Sequence, residues 1–334
     1  MNNHQMPVDI VQRLHKELAS AGQIIIVSHM RPDGDAIGSV LGLGLSLIAL
    51  GKDVQMVIPD PIPQSLKHLP GIETIKRKTD RTYSYSIVVD CSDMLRTGNV
   101  FPDGYIPDLN IDHHPTNLNF AHTNLVISQA VSTTAILTNL LQSMKYPINR
   151  QAADALLTGL ITDTIGFRTP NMNAEALYLA GSLVEAGSNL ADLYLKALVR
   201  RTYQAAKYWG LGLYNLHRKK DLIWTTLSLA DRKDAGYPGR DDADLVNILT
   251  TIEGTKIAVI FIEQPHQSVK ISWRSVPGYD VSEIALRHGG GGHANAAGAE
   301  IEGSLEDVQR KIIAETDQLL RDLRATRAST AITH

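Results

Sequence analysis

The chain has 334 residues, with 32 Lys and Arg against 35 Asp and Glu, 12 His and one Cys, and a formal charge of -3. Its length points to two domains at roughly 100–200 residues each, and the charge excludes a broad basic coat of the kind that grips long nucleic acid. The lone Cys91 excludes an internal disulfide or a multi-cysteine zinc site, so a reducing cytosol is the default expectation.

The first twenty residues carry Asp9, Arg13, Lys16 and Glu17 without an apolar run and small-residue cleavage site, so no signal peptide is read. Residues 24–28 (IIIVS) form a β-branched run, and the uncharged stretch from Ala36 to Gly51 follows at helical length. That stretch is shorter than the roughly 18–20 apolar residues of a membrane span. A fully apolar strand feeding a loop and a helix predicts an α/β fold with a parallel sheet and helices on both faces. The pattern recurs at 54–58, 86–90 and 109–112, each run ending in a polar or turn-forming cluster. Ligands of such sheets sit outside the carboxyl ends of the strands, so the clusters after 28, 90 and 112 are expected on one rim.

Helices are predicted over 130–145, 151–162 and 173–187, the last with Asn173 as N-cap and Gly187 as C-cap. Residues 189–215 keep helical periodicity without a strand partner and read as a connecting helix. Strands at 222–228, 256–263 and 268–273 and a terminal helix over 304–325 then predict a smaller α+β domain. The expected division is 1–190, a helical linker over 191–215, and 216–330.

Four segments place metal-type ligands at the end of a predicted element. His29, Asp33 and Asp35 follow the first strand; Asp90 ends SIVVD; Asp112-His113-His114 ends the next strand; Asp163 stands where a helix runs out. Singly, each has a plain structural reading: Asp-Gly-Asp is a turn, and a terminal Asp caps. Asp90 is harder to read that way, because a carboxylate in an apolar run costs several kcal/mol unless paired or metal-bound. Jointly, the four segments point to a metal centre.

His29-x3-Asp33-x-Asp35, Asp90, Asp112-His113-His114 and Asp163 resemble the successive motifs of the DHH phosphoesterases. Arg274-Ser275, VSEIA at 281–285 and GGGGHANAAG at 289–298 resemble the DHHA1 domain. Order, spacing and length are most similar to the NrnA-type group, bifunctional oligoribonucleases that also dephosphorylate 3'-phosphoadenosine 5'-phosphate. The resemblance covers roughly residues 20–325 and implies a DHH domain, a DHHA1 domain and an active site in the cleft between them.

Carried onto this sequence, the resemblance implies two divalent cations, with Mn²⁺ the expected metal. His29, Asp33 and Asp90 would hold one, and Asp35, Asp90, His113 and Asp163 the other, with Asp90 bridging. A shell of imidazole and carboxylate without thiolate suits Mn²⁺ better than a structural zinc. Asp90, His113 and His114 are the implied catalytic residues, acting with a hydroxide activated between two metals; His114 would contact the substrate phosphate or leaving oxygen. Four aspartates and two divalent cations sum to zero, so other groups must orient an anionic substrate. Arg96, Arg274, Ser275, the glycine amides of Gly290, Gly291 and Gly292, and His293 are the candidates. Cys91 reads as a small buried residue, and Trp273, beside Arg274, is the tryptophan placed to stack on a base. Arg31, Ile165 and His288 depart from the family's commonest pattern near the implied site.

The expected activity is hydrolysis of oligonucleotides of 2–5 nucleotides, RNA or DNA, to mononucleotides, and of 3'-phosphoadenosine 5'-phosphate to AMP. Alternatives are a phosphodiesterase for pApA or cyclic di-AMP and, outside catalysis, a nucleotide-binding sensor. Partners on this reading are short oligonucleotides or nucleoside bisphosphates, with neither long nucleic acid nor a membrane; oligomeric state, a homodimer included, stays open.

Overall fold

The computed structural model describes residues 6–332. Strand β1 (Gln23–Val27) is buried on both faces: Ile24 and Ile26 join one apolar cluster, Ile25 and Val27 the other. With β2 (Asp53–Val57), β3 (Tyr85–Val89), β4 (Leu109–Asp112) and β5 (Thr123–Val126) it forms an all-parallel sheet in the order β2-β1-β3-β4-β5. The larger cluster is filled by α1 (Val8–Ser20), α2 (Gly34–Ala49), α3 (Thr133–Ser143), α4 (Arg150–Asp163) and α5 (Ala174–Glu185). On the opposite face the cover is a 3₁₀ segment, Met94–Val100, with Phe101, Tyr83, Tyr105 and Phe120, a thinner layer than a full row of helices.

The chain divides after Arg200 into two compact units. The stretch expected as one connecting helix is broken. It comprises α6 (Leu190–Tyr194), a π-helical turn over Leu195–Val199, and α7 (Tyr203–Tyr214). Arg200 is extended, and Thr202 caps α7 by accepting the Ala205 N–H at 3.1 Å, which starts a new helix instead of continuing the old one. α7 is part of the second unit's own core, where Tyr208 is fully buried with Ile223 and Ala258.

That second unit is built on a mixed sheet of β6 (His217–Lys219), β7 (Leu222–Leu227), β8 (Ile257–Gln264), β9 (Ser268–Ser275), β10 (Gly291–His293) and β11 (Ala296–Glu302), ordered β10-β11-β9-β8-β7-β6. Only β7 and β8 are parallel. Successive residues of β8 face opposite clusters. Ile257, Val259 and Phe261 meet α10 (Ser282–Arg287) and α11 (Leu305–Ile332); Ala258, Ile260 and Ile262 meet α7, α8 (Leu229–Ala235) and α9 (Leu245–Leu249). The glycine run, expected as a phosphate-cradling loop, enters an edge strand joined to β11 by Ala294 and Asn295.

In the first unit, α2 and α4 approach almost backbone to backbone. A Cβ on Gly38 would lie 2.6 Å from the Ala155 carbonyl oxygen and 3.1 Å from the Gly159 Cα. Gly38→Ala is therefore expected to lower stability: overpacking costs about 1–3 kcal/mol, against about 1 kcal/mol gained from helix propensity. A denaturant midpoint at or above that of the wild type would show that the two helices part without cost.

Candidate metal centre

The carboxyl ends of β1, β3 and β4 deliver His29, Asp90 and the pair His113-His114 to one rim, and the ends of two helices complete the set. Asp33 is the N-cap of α2, its Oδ1 accepting the N–H groups of Asp35 at 3.1 Å and Ala36 at 3.0 Å. Asp35, one residue inside the helix, turns to α3. Its Oδ2 accepts Thr133 N–H at 2.6 Å, and its Oδ1 accepts Thr134 N–H at 3.0 Å and the Thr134 hydroxyl at 2.6 Å. Asp163 is the last residue of α4. Gly159 makes room for the assembly, since a Cβ there would lie 2.9 Å from Asp35 Oδ1.

Asp90 sits just past β3 in the left-handed region, with φ 53°. That conformation is tolerated best, after glycine, by Asn and Asp. Its two oxygens face different neighbours: Oδ2 lies 3.6 Å from His29 Nε2, and Oδ1 lies 3.8 Å from both His113 Nε2 and His114 Nδ1. The Thr133 hydroxyl donates to Oδ1 at 2.8 Å. His113 Nε2 also lies 3.6 Å from Asp163 and 3.9 Å from Asp35.

Three overlapping groups of ligand atoms result among the described residues, His29 with Asp33 and Asp90, Asp35 with His113 and Asp163, and Asp90 with His113 and His114, each gathered within 4.8 Å. His29 donates from Nδ1 to the Met30 carbonyl at 2.9 Å, and His113 from Nδ1 to the Ala130 carbonyl at 3.4 Å. Those bonds leave both Nε2 lone pairs facing carboxylates, at separations too long for hydrogen bonds. An imidazole fixed through one nitrogen with the other aimed into a carboxylate cluster is the arrangement of a metal ligand, so the residues fit divalent cations.

The electrostatics agree. Burial, together with the neighbouring Asp90 and Asp163, pushes the Asp35 carboxyl well above its ordinary value; burial with Asp90 and Asp33 does the same to Asp163. Burial would also raise Asp90, but contacts with His29, His114 and His113 hold it below the usual range. His114 moves the other way. Burial opposes its protonation, yet the hydrogen bond to Asp112 and the Asp90 charge raise it to about 9.

Asp112 belongs to the site although only its position in the Asp-His-His motif signalled it. It is fully buried, and its Oδ1 accepts both His114 Nδ1 at 2.7 Å and the His113 N–H at 2.9 Å. Thr133 and Thr134, which hold Asp35 and Asp90, had no signal beyond a polar start to α3. Arg96 is half-buried near His29 and His114, lowering the proton affinity of both, and its carbonyl accepts the Met30 N–H at 2.7 Å. Cys91 is buried against the Asp93 carbonyl, its thiol pushed up to about 12 mainly by burial, which leaves it inert.

In the second unit, Arg274 is half-buried, donating from Nε to Asn247 at 3.1 Å and from Nη1 to the Trp273 carbonyl at 3.0 Å. It pairs in register with Ala296, so it neighbours the glycine hairpin. Gly290 and Gly292 press against β11, whereas Gly291 has open space where a Cβ would stand. The Ser275 hydroxyl is engaged, donating to the Tyr279 carbonyl and accepting from Asn295 at 3.0 Å. The His293 side chain lies outside the described ones. Trp273 does not serve as a stacking platform: it is fully buried, with Nε1 donating to Thr316 at 3.2 Å.

Asp90→Asn should separate charge from backbone, because Asn keeps the left-handed turn. The variant is expected to unfold near the wild-type temperature without metal, while Mn²⁺ no longer raises its melting temperature. Asp90→Ala should lose a further ~1–2 kcal/mol of stability. A metal-dependent thermal shift that survives Asp90→Asn would remove Asp90 from the ligand set.

Residues 23–160 match the family model for the DHH family N-terminal domain, and 226–322 that for the DHHA1 domain. The chain is 34% identical over 306 residues to the bifunctional oligoribonuclease and PAP phosphatase NrnA of Thermus thermophilus, covering 90% of this chain and 92% of that protein. It is 26% identical over 307 residues to the protein of the same name from Bacillus subtilis, covering 90% and 95%. An exopolyphosphatase-related protein from Bacteroides fragilis superposes with a TM-score of 0.90 at 26% identity, over 97% of this chain and 100% of that one. With both domain models matched and that level of identity across nearly its whole length, the chain belongs to the DHH/DHHA1 family of phosphoesterases, hydrolases of phosphoric esters.

Proposed function

We propose that this protein is a Mn²⁺-dependent phosphoesterase of the cytoplasm that hydrolyses oligonucleotides of 2–5 nucleotides to mononucleotides and 3'-phosphoadenosine 5'-phosphate to AMP. The observation that carries this reading is the position of Asp90, which is gathered with His29 and Asp33 through one oxygen and faces His113, itself gathered with Asp35 and Asp163, through the other. The substrate follows from the names of the Thermus and Bacillus relatives and from a near-neutral chain that offers few phosphate contacts. His29, Asp33 and Asp90 would hold one cation, and Asp35, Asp90, His113 and Asp163 a second. Bound there, the metals would supply Lewis-acid activation of water and of a phosphoryl oxygen.

The protein's own groups do the rest. His114, held through Nδ1 by Asp112, whose charge favours its protonated form, would present Nε2 to a phosphate or leaving oxygen. Arg96 adds positive charge on the same rim. In the second unit, Arg274 Nη2 has no hydrogen bond among the described residues and offers a donor for a further phosphate, which the open space over Gly291 would let approach the backbone.

Incubation with defined di- to pentanucleotides, 3'-phosphoadenosine 5'-phosphate, pApA, cyclic di-AMP and a 20-mer should give mononucleotides from the short substrates and AMP from the bisphosphate. Chelation should abolish turnover and Mn²⁺ restore it. Arg274→Ala should raise KM about tenfold or more with kcat little changed, since a hydrogen bond to a charged group contributes ~1.5–3 kcal/mol. Inactivity on every short substrate with Mn²⁺ present would refute the assignment, and preferred cleavage of cyclic di-AMP would move the enzyme to the cyclic dinucleotides.

A further inference from the structure

Five residues past Asp112, Asn117 closes a turn in which its own N–H donates to the His114 carbonyl at 3.1 Å. Its Nδ2 donates to Asp112 Oδ2 at 2.6 Å and to Asn110 Oδ1 at 2.8 Å, and lies 3.2 Å from the Cys91 carbonyl. Its Oδ1 accepts the Asn119 N–H at 2.7 Å, which fixes which end of the amide carries the donors. Asn110, fully buried, is anchored by donating to the carbonyls of Val88 and Cys91, both at 3.2 Å. Asp112 is thus gripped on both oxygens, Oδ2 by Asn117 and Oδ1 by the His113 N–H and His114 Nδ1.

We infer that Asn117 is a positioning residue for His114. A carboxylate at the end of a chain can rotate about its own bond, and the Nδ1 hydrogen bond that it gives the ring would turn with it. Asn117 blocks the rotation by tying Oδ2 to the framework of β3 and β4 through Asn110. The ring of His114 then keeps Nε2 aimed at the rim. The ligand atoms of Asp35, Asp90 and Asp163 hang on other supports, namely α3, the end of β3 and α4, and the His113 ring is held from the Ala130 carbonyl; the His113 backbone, which also bonds Asp112, stays fixed by β4 and by the Asn117 backbone N–H on the His114 carbonyl, which the substitutions keep. Loss of Asn117 should therefore affect the aim of His114 and leave metal affinity alone. The inference rests on the phosphoesterase reading for its kinetic consequence, but its structural content is independent of it.

Asn117→Ala and the milder Asn117→Ser are compared with wild type, His114→Ala and the double variants. Loss of such a supporting contact typically costs roughly 10–100-fold in activity. kcat should fall within that range while KM and the Mn²⁺ dissociation constant stay within about twofold, and in the His114→Ala background either Asn117 substitution should cost less than about twofold more. An equal loss in both backgrounds, or metal affinity falling in step with kcat, would overturn the assignment. A second readout needs no activity: the wild-type protein should show a downfield Nδ1–H proton resonance for His114, bonded to Asp112, which Asn117→Ser shifts upfield or broadens. If the wild type hydrolyses nothing, the functional reading fails and this resonance still decides the role of Asn117; a signal unmoved by the substitution refutes it.

Discussion

Carboxylates that converge in a buried place repel one another, and the fold of the first unit is arranged around that repulsion. Asp35 and Asp90 are each only 1% exposed, and Asp33 and Asp163 stand beside them. Three of the four are supported by donors. Asp33 caps α2, Asp35 takes three hydrogen bonds from the first residues of α3, and Asp90 takes one from Thr133. Helix N-termini favour negative charge, so two helices contribute their positive ends to the rim. Asp163 has no such support. It ends α4, where the helix dipole is unfavourable to an anion, and no hydrogen-bond donor reaches its carboxylate among the described residues. It is neutralised either by taking up a proton, which burial and the neighbouring carboxylates favour, or from across the site, by His113 or by cations held by the cluster.

The packing beneath the rim follows from the same demand. For Asp35 on α2 to share ligand space with Asp163 on α4, the two helices must nearly touch, and glycines at 38 and 159 permit it. Side chains at either position would separate the helices or displace Asp35. The left-handed turn at Asp90 serves the same end from the sheet side, since an extended residue after β3 would carry the carboxylate onward with the strand.

Much of this was legible in the sequence because it is written in strong local signals. The runs at 24–28, 54–58 and 86–90 are largely apolar because both faces are covered, the run at 109–112 alternates apolar and buried polar residues, and Asn173 caps α5 as its residue type suggests. β5 was not legible: Thr123–Val126 has one buried residue, Leu125, so an edge strand looks like a loop. The glycine run misleads for a different reason. Without side chains it shows no period, and a strand pressed against a neighbour reads the same as a mobile loop. Asp112 is legible only as part of a ligand motif, and Asn117 not at all, because their roles exist only in contacts that the fold creates; the sequence shows an acid and an amide five residues apart, not the hydrogen bond between them.

His113 and His114 carry the sharpest case of information that a motif cannot contain. Two adjacent histidines at a strand end are equivalent on paper, and either could face the carboxylates. One oxygen breaks the symmetry. Asp112 Oδ1 accepts the backbone N–H of His113 and the ring Nδ1 of His114, fixing the turn and the second ring together. The ring of His113, held from its own Nδ1 by Ala130, is left to face Asp35, Asp90 and Asp163; the rings end 4.6 Å apart and tilted by 61°. A buried acceptor between two neighbouring donors therefore divides two identical side chains: one ring is held from the Ala130 carbonyl and faces three carboxylates, the other is held from Asp112 with Asp90 3.8 Å from the same nitrogen.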